Sequence, residues 1–343
     1  MAPLARGDRR APAPVRPRRR RRTGRLRRTL LAALVTAAVA VPVAGAARPA
    51  EVPAPAPPGI GRLTSAEPTA LAGELAARYA ANREALRAAE GTADSHGARR
   101  RAASLREMAA PERQFLSFDG RDGGRSAEVV GDLARAERIA VLVPGADTGL
   151  DSYGRLRAGA VALQKALQQG AYARTAVIAW LGYRTPGTGS AASLTPGRAE
   201  QAAPALRSLV QELSAVRPGA RITLLGHSYG SVVCALAATR TPVAAVVLYG
   251  SPGTGFDTAA DLRTTASVWA GRATGDWVAE VPHVRVPLPG GTELGFGTDP
   301  VDPRFGARRF AAGAGGHSDY LVPGSPSLRN LARIVDGQEP DRA

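Results

Sequence analysis

Cysteine is nearly absent: Cys234 is the one such residue in 343. A single thiol cannot close an intramolecular disulfide and cannot build a Cys-rich zinc site. An exported chain of this kind would rely on its apolar core for stability, without cross-links. Lysine is as scarce, Lys165 being the only one, so the basic residues are otherwise arginines in an alanine-rich chain. That bias points to a GC-rich coding sequence and not to a function. No internal repeat is visible. The glycine-rich stretch Gly250-Ser251-Pro252-Gly253-Thr254-Gly255 lacks the Gly-Lys-Ser/Thr end of a phosphate loop and reads as a turn.

The chain does carry an excess of positive charge, +16 overall. Its distribution argues against a nucleic-acid partner. Residues 1–29 hold 12 of the 45 basic residues and one of the 29 acidic ones, leaving a body of mixed sign and only +5. The arginines run up to Arg27-Arg28 and are followed at 30–47 by LLAALVTAAVAVPVAGAA. Basic residues, an apolar stretch and small residues at Ala44 and Ala46 form the pattern of a secretory signal. Arg27-Arg28-Thr29-Leu30-Leu31 loosely resembles a twin-arginine signal. An uncleaved N-terminal anchor is the alternative, which would associate the chain with a membrane. In either case the arginines stay on the cytoplasmic side and the body is exported to the cell envelope or beyond it. Residues 1–47 are therefore read as leader and 48–66, Pro-rich, as a linker. Cys234 lies too far from this region to serve as a lipid-modified cysteine.

The body begins with a helical segment over 67–110, where Leu71, Leu75, Tyr79, Leu86 and Leu105 recur at helical spacing and Gly91 to Gly97 interrupts. From 111 to 343 short apolar runs alternate with helical ones. Strands are expected at Gln114–Asp119, Ala127–Leu133, Arg138–Val143, Ala176–Leu181, Ile222–Leu225, 244–249 and 267–272. Helices are expected at about 153–168, 197–215 and from 229. The alternation predicts an α/β fold, a mostly parallel sheet with helices on both faces.

One motif carries chemistry. Gly226-His227-Ser228-Tyr229-Gly230 follows the apolar run Ile222–Leu225 and opens an apolar helix. G-x-S-x-G alone is a weak signal, but strand–turn–helix is the setting a nucleophile elbow requires. A serine needs a base, and the base needs a carboxylate to orient it. In this order of partners the acid and then the histidine follow the serine. His317, in the Gly-rich loop AGAGGHSDY, is the favoured base over His283 in EVPHVRV; His227 is read as a neighbour of the site, and His96 lies outside the sheet region. Asp276 follows a strand and is the favoured acid, with Asp299 and Asp302 in GTDPVDP as rivals whose prolines suggest turns. Oxyanion donors are expected from the backbone N–H groups of Tyr229, after the serine, and of Ala146, in the loop Pro144–Gly149. Cys234 and the tryptophans Trp180, Trp269 and Trp277 are expected in the core. The Gly/Pro-rich loop 183–197 is expected to be a mobile flap.

Together these residues resemble an actinobacterial α/β-hydrolase family long labelled a domain of unknown function. The likeness spans about 67–337. It rests on Asn82-Arg83 with Leu86, Gly131-Asp132-Leu133, Val143-Pro144-Gly145 and Ala179-Trp180-Leu181-Gly182-Tyr183. It continues through Leu225-Gly226-His227-Ser228-Tyr229-Gly230-Ser231, Gly250-Ser251-Pro252-Gly253, Asp299-Pro300, Phe305-Gly306-Ala307-Arg308 and Gly316-His317. Ala146-Asp147 departs from the family pattern, in which Met often follows this glycine. The resemblance implies an α/β-hydrolase fold with Ser228, Asp276 and His317 as triad, and leaves the substrate open. The expectation is an exported serine hydrolase acting on an ester or related acyl compound, with no metal or organic cofactor. An envelope acyltransferase using the same triad and a non-catalytic scaffold are the rivals.

Overall fold

The computed structural model describes residues 52–343 apart from 171–173 and 288–292. The leader, with all of its arginines, lies outside the described residues. Among the described residues no helix is long and apolar enough to cross a membrane.

The first helix among the described residues, α1 (Pro68–Ser95), starts where Glu67 accepts hydrogen bonds from the N–H groups of Thr69 and Ala70 and Pro68 takes the first helical position. It runs through Gly91 and ends at His96–Gly97, where Gly97 adopts φ +69°. A shorter α2 (Arg99–Met108) follows. Then come β1 (Gln114–Asp119), β2 (Arg125–Gly131), β3 (Arg138–Val143), α3 (Tyr153–Gln168), β4 (Thr175–Leu181), α4 (Gly197–Val216), β5 (Arg221–His227), α5 (Tyr229–Ala238), β6 (Ala245–Tyr249) and β7 (Ser267–Gly271). A small hairpin of β8 (Val286–Pro287) and β9 (Glu293–Leu294), a two-residue β10 (Arg308–Arg309) and α6 (Pro326–Asp336) complete the chain.

Eight strands form one sheet in the order β1-β2-β4-β3-β5-β6-β7-β10. β2 pairs antiparallel with both β1 and β4, and every other pairing is parallel. Side chains alternate between two cores. Ile139, Val141, Ile222 and Leu224 face α4 and α5, whereas Ala140, Leu142 and Leu225 face α2, α3 and α6. Cys234 is buried on α5 and burial pushes its thiol pKa up, as for a small core residue.

Two features fix the front of the sheet. Helix α1 passes over the edge strand: Leu71, Leu75 and Tyr79 lie in the first core, Leu86, Ala89 and Ala93 in the second. Midway, the buried Asn82 donates from Nδ2 to the main-chain oxygens of Arg78 and Phe115, the latter on β1. Beside this, Arg113 and Glu128 form a buried two-bond ion pair with both N···O distances 2.6 Å.

Candidate active site

The elbow lies between β5 and α5. Ser228 has φ 51° and ψ −124°, a conformation an L residue adopts only under strain. Its N–H donates to Tyr249 O at 3.0 Å, which holds the turn against β6. Glycine on either side is a steric requirement. A Cβ on Gly226 would sit 2.6 Å from Gly230 O, and one on Gly230 would sit 2.4 Å from Val143 O. The strained turn presents Oγ at the carboxyl end of the parallel strands, at the start of α5.

His317 reaches this hydroxyl from the loop after β10. Its Nε2 lies 2.9 Å from Ser228 Oγ, and its Nδ1 lies 2.9 Å from Asp276 Oδ1. Asp276 follows β7 and is 2% exposed. It accepts from Val278 N–H at 2.9 Å and, through Oδ2, from the Tyr320 hydroxyl at 2.5 Å. Burial opposes its charge, but the hydrogen bonds from His317, Tyr320 and Val278 outweigh that and hold its pKa at about 2. Burial and the adjoining carboxylate push the Tyr320 pKa up, so that hydroxyl remains a donor.

The oxyanion loop passes close above the serine: a Cβ on Gly145 would lie 2.7 Å from Ser228 Cβ and 3.3 Å from its Oγ. Among the described residues, no protein acceptor takes the N–H of Ala146 or of Tyr229. Both are free to donate to a ligand.

The rivals for the acid and base roles lie elsewhere. Asp299 pairs with Arg272 at 2.6 Å and with His283 at 3.3 Å, and His283 also bonds Pro252 O at 3.0 Å. This cluster ties the turn at 250–255 to the loop after β7. Asp302 caps a short turn by accepting from Arg304 N–H. His96 closes the end of α1 through a bond to Thr92 O. Among the described residues no three His, Cys, Asp or Glu side chains cluster as metal ligands.

Three expectations differ from the structure. Leu133 lies past the end of β2, in a short 3-10 turn (Leu133–Arg135). Trp277 is not in the core: it is 53% exposed, with its ring centroid 4.7 Å from that of His317. Its neighbour Asp276 is turned inward as the cap of a short turn, which leaves Trp277 facing out. The loop 183–197 is sewn down along its length. Tyr183 donates to Pro144 O, Thr185 to Thr148 O, and Thr188 N–H to Asp147 Oδ1. Tyr229, beside the nucleophile, donates to Thr195 O and accepts from Ala199 N–H. Gly295 N–H donates to Leu194 O. These bonds make the loop a wall shared with the oxyanion loop. Tyr320 escaped the sequence reading, although it stands only three residues beyond His317.

Exposed apolar side chains stand at this wall and beside the base: Leu194 and Val284 at the first, Trp277 at the second. Leu194 and Val284 bond through their carbonyls to Gly295 and Gly297, on either side of Phe296, whose ring packs edge-on against Tyr229 at 5.6 Å.

Comparison with known proteins matches residues 119–286 to a family described as "Alpha/beta hydrolase". An uncharacterised protein of Mycobacterium tuberculosis is 32% identical over 252 residues, which cover 65% of this chain and 38% of that protein. A second uncharacterised protein of the same organism is 38% identical over 144 residues, 39% of this chain and 54% of that one. The match thus spans well under two thirds of either relative. Among solved structures, an α/β serine hydrolase without lid from Xanthomonas campestris aligns with 66% of this chain and 94% of its own, at 18% identity and a TM-score of 0.41. An esterase of Mycobacterium marinum aligns with 73% and 88%, at 16% identity and a TM-score of 0.39.

Proposed function

Since the chain belongs to the α/β-hydrolase family, we propose that it is an exported serine hydrolase that cleaves a carboxylic ester through a covalent acyl-enzyme. The observation that carries this reading is the line from Ser228 Oγ to His317 Nε2 and from His317 Nδ1 to Asp276, set on a strained elbow with two free N–H groups above it. Ser228 Oγ attacks the ester carbonyl while His317 Nε2 takes its proton. Asp276 holds the tautomer with the proton on Nδ1 and stabilises the imidazolium. The N–H groups of Ala146 and Tyr229 receive the oxyanion. His317 returns the proton to the leaving alkoxide, which departs as the alcohol. A water that gives its proton to His317 then attacks the acyl-serine, and Ser228 is restored as the acid leaves. The exposed Trp277, Leu194 and Val284 favour an ester with an apolar part. Export rests on the leader sequence.

Treating the purified chain with a fluorophosphonate and locating the adduct by mass spectrometry tests the reading. Labelling is expected at Ser228, absent in Ser228→Ala and slowed by at least about 10³-fold in His317→Ala. No adduct on the folded chain would return the scaffold reading. Product analysis with and without an alcohol acceptor separates hydrolysis from acyl transfer.

A further inference from the structure

His227 stands directly before Ser228 and takes no part in the steps above. Its Nε2 lies 2.7 Å from the main-chain oxygen of His317, 90 residues away in sequence. A carbonyl oxygen only accepts, so Nε2 carries the proton and donates. The ring centroid lies 4.7 Å from that of His317, 5.2 Å from Tyr249 and 5.8 Å from Tyr320. One imidazole therefore borders the nucleophile, the base and the tyrosine that bonds the acid. The base needs such a hold. His317 ends the run Ala311-Ala312-Gly313-Ala314-Gly315-Gly316, whose start is fixed by backbone bonds at Ala311 and Gly313 but whose small side chains offer little to anchor the last residues before the base. On its far side the loop is held by Gly316 N–H, which donates to Asp319 Oδ2.

Resting on the serine-hydrolase reading of this site, we propose that His227 is a positioning residue: its Nε2–H fixes the His317 backbone so that the imidazole stays aligned on Ser228 Oγ. The titratable and charged groups facing it are His317, Asp276, Arg155, Tyr249 and Tyr320. Burial, and then the neighbouring His317, lower its pKa to about 4. His227 thus stays a neutral donor while His317 is the imidazole that takes up the proton.

The test compares the wild-type chain with His227→Phe, which keeps an aromatic ring but no donor, and His227→Gln, which restores an N–H near the same place. The readouts are the saturating rate of fluorophosphonate labelling, the concentration giving half that rate, and the thermal midpoint. In His227→Phe the saturating rate is expected to fall about tenfold, the loss of one hydrogen bond's alignment. The half-saturating concentration should hold, and His227→Gln should recover to within about threefold. His227→Met takes the place of the phenylalanine variant if that one does not fold. Labelling of the donor-less variant at the wild-type rate overturns the proposal, as does a glutamine variant as slow as the phenylalanine one. A wild-type chain that never labels fails at the earlier step: it removes the serine-hydrolase reading and this inference with it.

Discussion

Two aspartates show how neighbours set the part a residue plays. Asp276 and Asp299 both lie in the loops that follow β7, yet one bonds an imidazole, a phenol and a main-chain N–H, and the other an arginine and His283. An arginine partner already neutralises Asp299, so that carboxylate orients no base. His227 makes the same point about protons. An unfolded imidazole takes its proton near pH 6.5, whereas folded His227 does so only at about 4. Between those values the unfolded chain binds more protons, so stability rises with pH through this window, by up to about 1.4 kcal/mol per pH unit. Denaturant melts of wild type and His227→Gln between pH 4 and 6.5 should therefore differ in slope, the variant being flatter. Equal slopes would mean that His227 titrates normally. Ser228, His317 and Asp276 were legible in the sequence because each sits at a recognisable strand end or glycine-rich loop. The bond from His227 to His317, the support from Tyr320 and the outward turn of Trp277 were not. They depend on pairs of residues that only the finished fold brings together.

At the level of elements, the strands and helices that carry the site fall within one or two residues of the periodicity that announced them, because apolar runs and breaking glycines set their limits. The antiparallel front pair and the order of the strands have no such local signal. The loop 183–197 is the instructive failure: its Gly/Pro composition suggested a free flap, and long-range bonds from Asp147, Tyr183 and Tyr229 make it a wall. The tight turns give a contrast that can be measured. Gly145→Ala places a methyl 2.7 Å from Ser228 Cβ and 3.0 Å from His227 O, at the reacting centre. It should cost stability and, in the folded fraction, also cut fluorophosphonate labelling by about 10²-fold, the scale of a lost oxyanion donor. Gly230→Ala places its methyl 2.4 Å from Val143 O, in the backbone of the sheet. It should cost about 3 kcal/mol of stability in a denaturant titration. Labelling of folded Gly145→Ala at the wild-type rate would mean that Gly145 serves the fold and not the site.

For the whole molecule, the placing of α1 across the rim of β1 matters as much as the catalytic end. At the opposite side of the sheet β10 has only two residues. The sheet therefore closes at one side with a helix and at the other with a two-residue strand, paired to β7, whose outer edge is too short to template another chain. Deleting residues up to Ala98 would remove the helix that fills part of both cores and lies against the main-chain oxygen of Phe115. Light scattering of that fragment should show large assemblies, whereas a soluble, labelling-competent monomer would mean that the hydrolase body stands alone. The reason is one of templating. An uncovered outer strand is an invitation to any other extended chain to continue the ladder. Helix α1 thus acts as a lid on self-assembly, and its loss would be noticed first as precipitate.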